Sequence, residues 1–140
     1  MRKIPDQLYS QIFDLSSRIV NAMESGDVGD EESAQGELHA LHQIMLEKGE
    51  ADPFVAETVA DFTESPSEAI ALYRSALALC PGFPEEPIHT KQISLAERLM
   101  EISKDKEAKI LLVEALQIAK QLDDQDAVTE AEQLLEHRSI

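Results

Sequence analysis

Two stretches of this chain, thirty-nine residues apart, carry the same spacing of small and large side chains. In the first, EAIALYRSALALCP from Glu68 to Pro81, the residues Ala69, Tyr73, Ala76 and Pro81 follow Ala-x3-aromatic-x2-Ala-x4-Pro. In the second, Ala108, Leu112 and Ala115 repeat Ala-x3-large-x2-Ala. Positions i, i+4 and i+7 share one face of a helix, so each stretch presents a bulky side chain between two alanines. The alanines let a neighbouring helix come close, and the bulky residue fills the gap between them. A helix of this kind cannot bury both its faces alone, so it needs neighbours on either side. The chain is thereby constrained to a stack of helices.

The start and stop signals agree. Ser65-Pro66-Ser67-Glu68 is a capping box, with Ser65 as N-cap, Pro66 pre-set in the first turn and Glu68 reaching back; Pro81 stops the helix. This helix resembles the second helix of a tetratricopeptide repeat. Its expected partner helix matches the motif only in small residues and length, with Pro53, Ala56-Glu57 and Ala60 at the places of the preferred Trp, Leu-Gly and Tyr. Leu95-Ala96 sits at the Leu-Gly place of the next copy, and EALQIAKQLDDQDA, running past the usual stop, is similar to the elongated repeats of kinesin light-chain type. The resemblance implies an all-α fold, a right-handed stack of helical hairpins in one domain spanning residues 1–140. The hairpins are expected at about 5–48, 52–80 and 87–120, with a capping helix at about 124–137, seven helices in all.

Hydrophobic periodicity supplies the elements in order. Leu8, Ile12, Leu15, Ile19 and Met23 give an amphipathic helix that Pro5 opens and Gly26 ends. The acid-rich ESGDVGDEE, 24–32, reads as a flexible connection that lacks the order of acids and glycine needed for a calcium loop. A second helix is expected from Ser33 to Lys48 on Ala34, Leu38, Leu41 and Met45, closed by Gly49. Asp52-Pro53 opens a short helix to about Thr63, with Val55, Val59 and Phe62 on one side and Glu57, Asp61 and Glu64 nearly opposite. Past the turn at Gly82, Pro84 and Pro87, the set Ile93, Leu95, Ala96, Leu99 and Met100 leads to the second Ala-x3-large-x2-Ala helix. Ala127, Ala131, Leu134 and Leu135 give the cap an apolar inner side and leave it a polar outer one.

Twenty-eight acids against twelve bases give a net charge of −16. The excess lies in the N-terminal half, where residues 4–73 hold fifteen acids and only Arg18 and Lys48 as bases. Such a surface repels nucleic acid and anionic membranes and speeds the approach of cationic proteins. No run of 18 apolar residues exists to span a bilayer, and Pro5 and Asp6 interrupt the N-terminus before a secretory signal forms. A single cysteine, Cys80, excludes an internal disulfide and fits a reducing cytoplasm. At a helix C-terminus it meets the negative end of the helix dipole, which disfavours the thiolate.

Catalytic constellations are missing from the sequence. There is no Gly-x-Ser-x-Gly elbow, no Cys-His pair in a local motif and no glycine-rich phosphate loop, and carboxylates on exposed helical faces have nothing to raise the pKa of one of them. His39 and His42, one turn apart, supply two of the three or four ligands a zinc site needs; the lone Glu-x-x-His, Glu86 to His89, falls in a proline-rich turn. A non-enzymatic protein without metal or cofactor is the expectation. The family resemblance implies a partner face lined by the first helix of each hairpin. In the second hairpin that face includes Phe54, Thr58, Asp61 and Phe62, and in the third Ile93, Glu97, Met100 and Glu101; the other candidate for the binding face is the acidic half, with Glu57, Asp61 and Glu64 opposite the core side of their helix. The Lys, Arg and Asn with which chaperone-binding members of the family clamp a carboxylate are not there. The expected partner is a basic protein or peptide. It is met either by a small acidic inhibitor, an immunity protein or antitoxin against a nuclease-type toxin, or by an acidic secretion chaperone or adaptor with a segment in its groove.

Overall fold

A computed structural model of the protein describes residues 6–137. Among them are seven α-helices and no strand: α1 Asp6–Ser25, α2 Val28–Glu47, α3 Pro53–Asp61, α4 Pro66–Leu79, α5 Ile88–Glu101, α6 Asp105–Gln121 and α7 Gln125–His137, with a 3-10 turn Cys80–Gly82 after α4. Each helix packs mainly against its neighbours in sequence: α1 on α2, α3 on α4, α4 on α5, α5 on α6 and α6 on α7, with α7 also meeting α5. No described helix is long and apolar enough to cross a membrane.

Local chemistry explains the boundaries. Asp52 Oδ1 accepts the Phe54 N–H at 2.8 Å and Ser65 Oγ the Glu68 N–H at 3.4 Å, so the two proline-led helices begin where their caps place them. Four helices end with one device. The N–H groups of Asp27, Glu50, Lys104 and Asp124 reach back to the carbonyls of Ala22, Met45, Leu99 and Ala119. The residue before each, Gly26, Gly49, Ser103 and Asp123, has φ between 60° and 75°. This is the left-handed closure that satisfies the last carbonyls of a helix, and glycine adopts it without strain.

The stretch expected to be a loop over 24–32 is mostly helix. Only Gly26 and Asp27 lie between α1 and α2, and the Asp27 carboxylate caps the new helix by accepting the Asp30 N–H at 3.0 Å. Acids favour the first turn of a helix, where they face unpaired N–H groups. Arg18 on α1 then ties α2 down by donating to Asp30 at 2.8 Å and to Glu37.

Two apolar clusters form the interior. Ile12, Leu15, Ile19, Ala34, Leu38, Met45, Val55 and Val59 hold the first hairpin against α3. A larger cluster runs from Ala60, Ala69 and Tyr73 through Leu95, Leu99, Leu112 and Ala115 to Ala131. Leu72 on α4 packs against both. The four repeat alanines Ala69, Ala76, Ala108 and Ala115 are fully buried, which is where a residue without side-chain bulk lets helix backbones approach. In α1 the expected core residue Met23 is 56% exposed, and Ala22, at 3%, takes the inner position.

Candidate functional site

The largest fully buried side chain is a lysine. Lys91 on α5 is wholly shielded from solvent, and its Nζ donates to Glu86 Oε1 at 2.9 Å and to the Pro87 carbonyl at 3.0 Å, with Glu57 Oε1 of α3 at 3.3 Å. An ammonium has three N–H donors, and three acceptors surround this one. Burial by itself lowers the Lys91 pKa, but the hydrogen bond it donates to Glu86 and the charges of Glu57 and Glu86 carry it above its ordinary value. Burial raises the Glu57 carboxyl more strongly than Lys91 lowers it. The triad joins α3, the turn before α5 and α5 itself.

Beside it, α3, α4 and α5 enclose a cleft of about 350 Å³ lined by Asp61, Tyr73, Ser94, Glu97, Arg98 and Glu101. Tyr73, 3% exposed, rises from the core, and its hydroxyl donates to Asp61 Oδ1 at 2.5 Å. Burial pushes the Tyr73 phenol up, and the bond to Asp61 adds to the effect. Asp61 as a residue is exposed, but its carboxylate lies against Tyr73, and this desolvation pushes its pKa up despite the hydrogen bond it accepts. The single cation of the cleft is already engaged. Arg98 Nη2 donates to the Thr63 carbonyl at 2.7 Å, and Nη1 lies 3.4 Å from Glu101, so the guanidinium serves the carbonyl end of α3.

Glu97 is exposed as a residue, but its carboxyl is partly desolvated and hydrogen-bonded to Glu130 of α7; desolvation first, then that bond and the charges of Glu130 and Glu101, push its pKa up to about 7 against Arg98. A carboxyl set against other carboxylates resists ionisation, so Glu97 keeps its proton to near neutrality. Carboxylates are therefore not all plain solvated charges here. A second contact pins the same helix: His89, 4% exposed, has Nε2 2.7 Å from Asp124 Oδ2, and the other Asp124 oxygen accepts the Ala127 N–H at 3.2 Å. The hydrogen bond to His89, then that from Ala127, hold the Asp124 carboxyl below its usual range.

A pH dependence of stability follows from Glu97. Its folded pKa lies above the ordinary 4.5, so the folded state holds the proton more tightly than the unfolded one. That stabilisation is complete below about pH 4.5 and is lost as pH rises through about 7. Melting temperature is expected to fall between pH 5 and 8 in the wild type, and Glu97→Gln is expected to flatten that slope. Equal slopes in the two proteins would show that Glu97 does not carry it.

The expected partner residues separate into three groups. Asp61, Glu97 and Glu101 come together at the cleft, and exposed Glu64 lies just beyond α3. Phe54, Glu57, Thr58 and Phe62 are partly or wholly engaged. The Phe54 ring stacks on Tyr9 with centroids 5.1 Å apart, Thr58 Oγ1 donates to the Phe54 carbonyl at 2.8 Å, and Phe62 packs on the first cluster. Ile93 and Met100, expected on an open groove, are instead core residues, 2% and 5% exposed, because α4, α6 and α7 close over α5. Of Glu57 and Asp61, both expected to point away from the interior, Asp61 is exposed while Glu57 is half-buried against Lys91 of α5. Reversing both to Lys would set a cation beside buried Lys91 and remove the acceptor of Tyr73.

Lys91, Arg98 and Glu130 were missed as contributors. For Lys91 a signal existed: it precedes Leu95 and Leu99 by four and eight residues and so falls on the core row of its helix. His42 is buried on α2, its pKa lowered by burial and by His39. No group of three or more metal-ligating side chains occurs among the described residues. Cys80 is buried, and burial pushes its thiol up against the charge of Lys91. Comparison with protein-family models, with curated proteins and with solved structures finds no match to this chain.

Proposed function

We propose that this chain is a non-enzymatic protein-protein interaction module, a tetratricopeptide-like stack of hairpins whose acidic face binds a basic protein. An immunity protein or antitoxin covering a nuclease-type toxin is the form of that activity the charge supports best. The carrying observation is the cleft, where Asp61, Glu97, Glu101 and the adjoining Glu130 face one arginine that is already held by backbone carbonyls. A lysine or arginine entering there meets carboxylates whose one neighbouring cation is already engaged, and it displaces the proton that Glu97 holds. Nucleic acid, with its own phosphates, is repelled by the same field. The alternative of a secretion chaperone with an apolar peptide groove draws less support, since Ile93 and Met100 are in the core.

Affinity capture from the source cell tests the reading, using wild type and a Glu64→Lys/Glu101→Lys variant. Both residues are exposed, so helix content is expected to stay unchanged while capture of a basic protein is lost. Binding of that protein is expected to weaken with salt, chiefly through a slower on-rate, because screening shortens the reach of charge to about 10 Å at 0.1 M. It is also expected to tighten as pH rises from 6 to 8, as Glu97 loses its proton. Retention of the same proteins at equal strength by both baits would overturn the proposal.

A further inference from the structure

The outer face of α1 carries little charge for so acidic a protein. Between residues 7 and 23 the helix carries only Asp14 and Arg18 as charges, and Arg18 is taken up by Asp30 and Glu37 of α2. On its open side stand Phe13, Val20 and Met23, exposed by 60%, 43% and 56%, and Tyr9, which is 47% exposed with one ring face stacked on Phe54 of α3. At 3.6 residues per turn these four and Ser16 fall within about 80° of arc, a straight seam along the helix. Serines and an asparagine, Ser10, Ser17 and Asn21, flank it on the side away from the core. Four such side chains in one line exceed the scatter of single surface apolar residues.

We infer that the α1 seam is the interface between two copies of this chain, paired antiparallel about a two-fold axis near Ser16. The order of residues along the seam is self-complementary under that operation. Tyr9 and Met23 lie seven residues on either side of Ser16, so Tyr9 faces the partner's Met23, a ring against a thioether. Phe13 lies three residues before Ser16 and Val20 four after, so Phe13 faces the partner's Val20. The small Ser16 stands where the helices cross and lets them approach. A two-fold contact must place the same patch on both partners, and this patch meets that condition.

Charge selects the second copy over a basic protein as the occupant. Two copies at −16 each repel wherever their acidic surfaces meet, and the seam is the apolar, nearly uncharged face on which that repulsion is least. The exposed parts of the four side chains amount to about 400 Å² per copy, on the scale of roughly 150–250 Å² for a whole aromatic residue. Doubled and joined by the serine rim, this reaches about 1,000 Å², the lower limit of a specific contact. The pairing is independent of the acidic cleft: α1 touches neither α5 nor α7 to any extent, so each copy keeps its cleft open.

Sedimentation from about 1 to about 500 µM, at about 50 and about 500 mM salt, tests the pairing. The mass is expected to double from 15.5 kDa as concentration rises, and the dimer is expected to tighten with salt, the opposite sign to binding of a basic partner. Phe13→Asp is expected to weaken the dimer by about a hundredfold, some 2.8 kcal/mol at 1.4 kcal/mol per tenfold, with helix content and melting of the monomer unchanged. On a Cys80→Ser background, Ser16→Cys is expected to cross-link two copies on mild oxidation, while Ser10→Cys, well off the seam, is not. A monomer at every concentration and salt, or a dimer that Phe13→Asp leaves intact, overturns the inference.

Discussion

Replacing Lys91 by Ala is expected to lower the stability of this domain by about 3–5 kcal/mol, the cost of breaking a buried ion pair from one side. The ammonium is fully buried and is the common partner of Glu57 and Glu86. Without it, two carboxylates remain in a poorly solvated site, one on α3 and one on the turn that leads into α5. They must either take up protons or pull water inward. Urea or thermal unfolding of the single variant measures the loss. The combined variant Lys91→Met/Glu57→Gln/Glu86→Gln is expected to regain most of it, because neutral groups of similar volume have no charge to desolvate. A single-variant loss below about 1 kcal/mol, the range of surface changes, would mean that solvent reaches Lys91.

Replacing Tyr73 by Ala is expected to cost about 3–5 kcal/mol, since a large core side chain leaves a cavity that rigid helices fill poorly. Tyr73 is 3% exposed and packs in the larger cluster with Ala60, Ala69, Ile70 and Leu99. Tyr73→Phe separates the ring from the hydroxyl. It is expected to cost about 1–2 kcal/mol, a hydrogen bond to a charged acceptor, and to leave the core filled. The two variants differ in the cleft as well, because the hydroxyl supplies part of its lining beside Asp61. Comparing their melts across pH separates lost volume, which is independent of pH, from the lost bond to a titrating carboxylate. Equal losses for Ala and Phe would show that the ring contributes little to the core.

These two sites differ in how visible they are before folding. Tyr73 announces itself through its spacing to Ala69 and Ala76, and the second copy at Ala108, Leu112 and Ala115 confirms the pattern in the same chain. All six are buried. Helix starts were legible for a similar reason: a cap is made by residues two or three apart, as at Asp52 and Ser65. The start of α2 was hidden because Gly29 and the acids around it look like loop composition, although Asp27 does the capping by the same local rule. Helix ends at Gly26 and Gly49 were equally plain, whereas Ser103 and Asp123 adopt the left-handed position without the residue that usually marks it.

The sequence by itself determined the seven helices, their order and most of the side chains that face inward, because periodicity and capping act over a single turn. Only the tertiary structure decided which acids stay solvated. Glu57 and Asp61 share a helix with residues that face the core, and whether they meet water or Lys91 and Tyr73 depends on how α4 and α5 are placed against α3. Glu97 and Glu130 stand thirty-three residues apart, and nothing local to either foretells that α7 will press one carboxyl against the other. Charge interactions depend on distance and solvation in three dimensions, and a linear sequence specifies neither until the helices have packed.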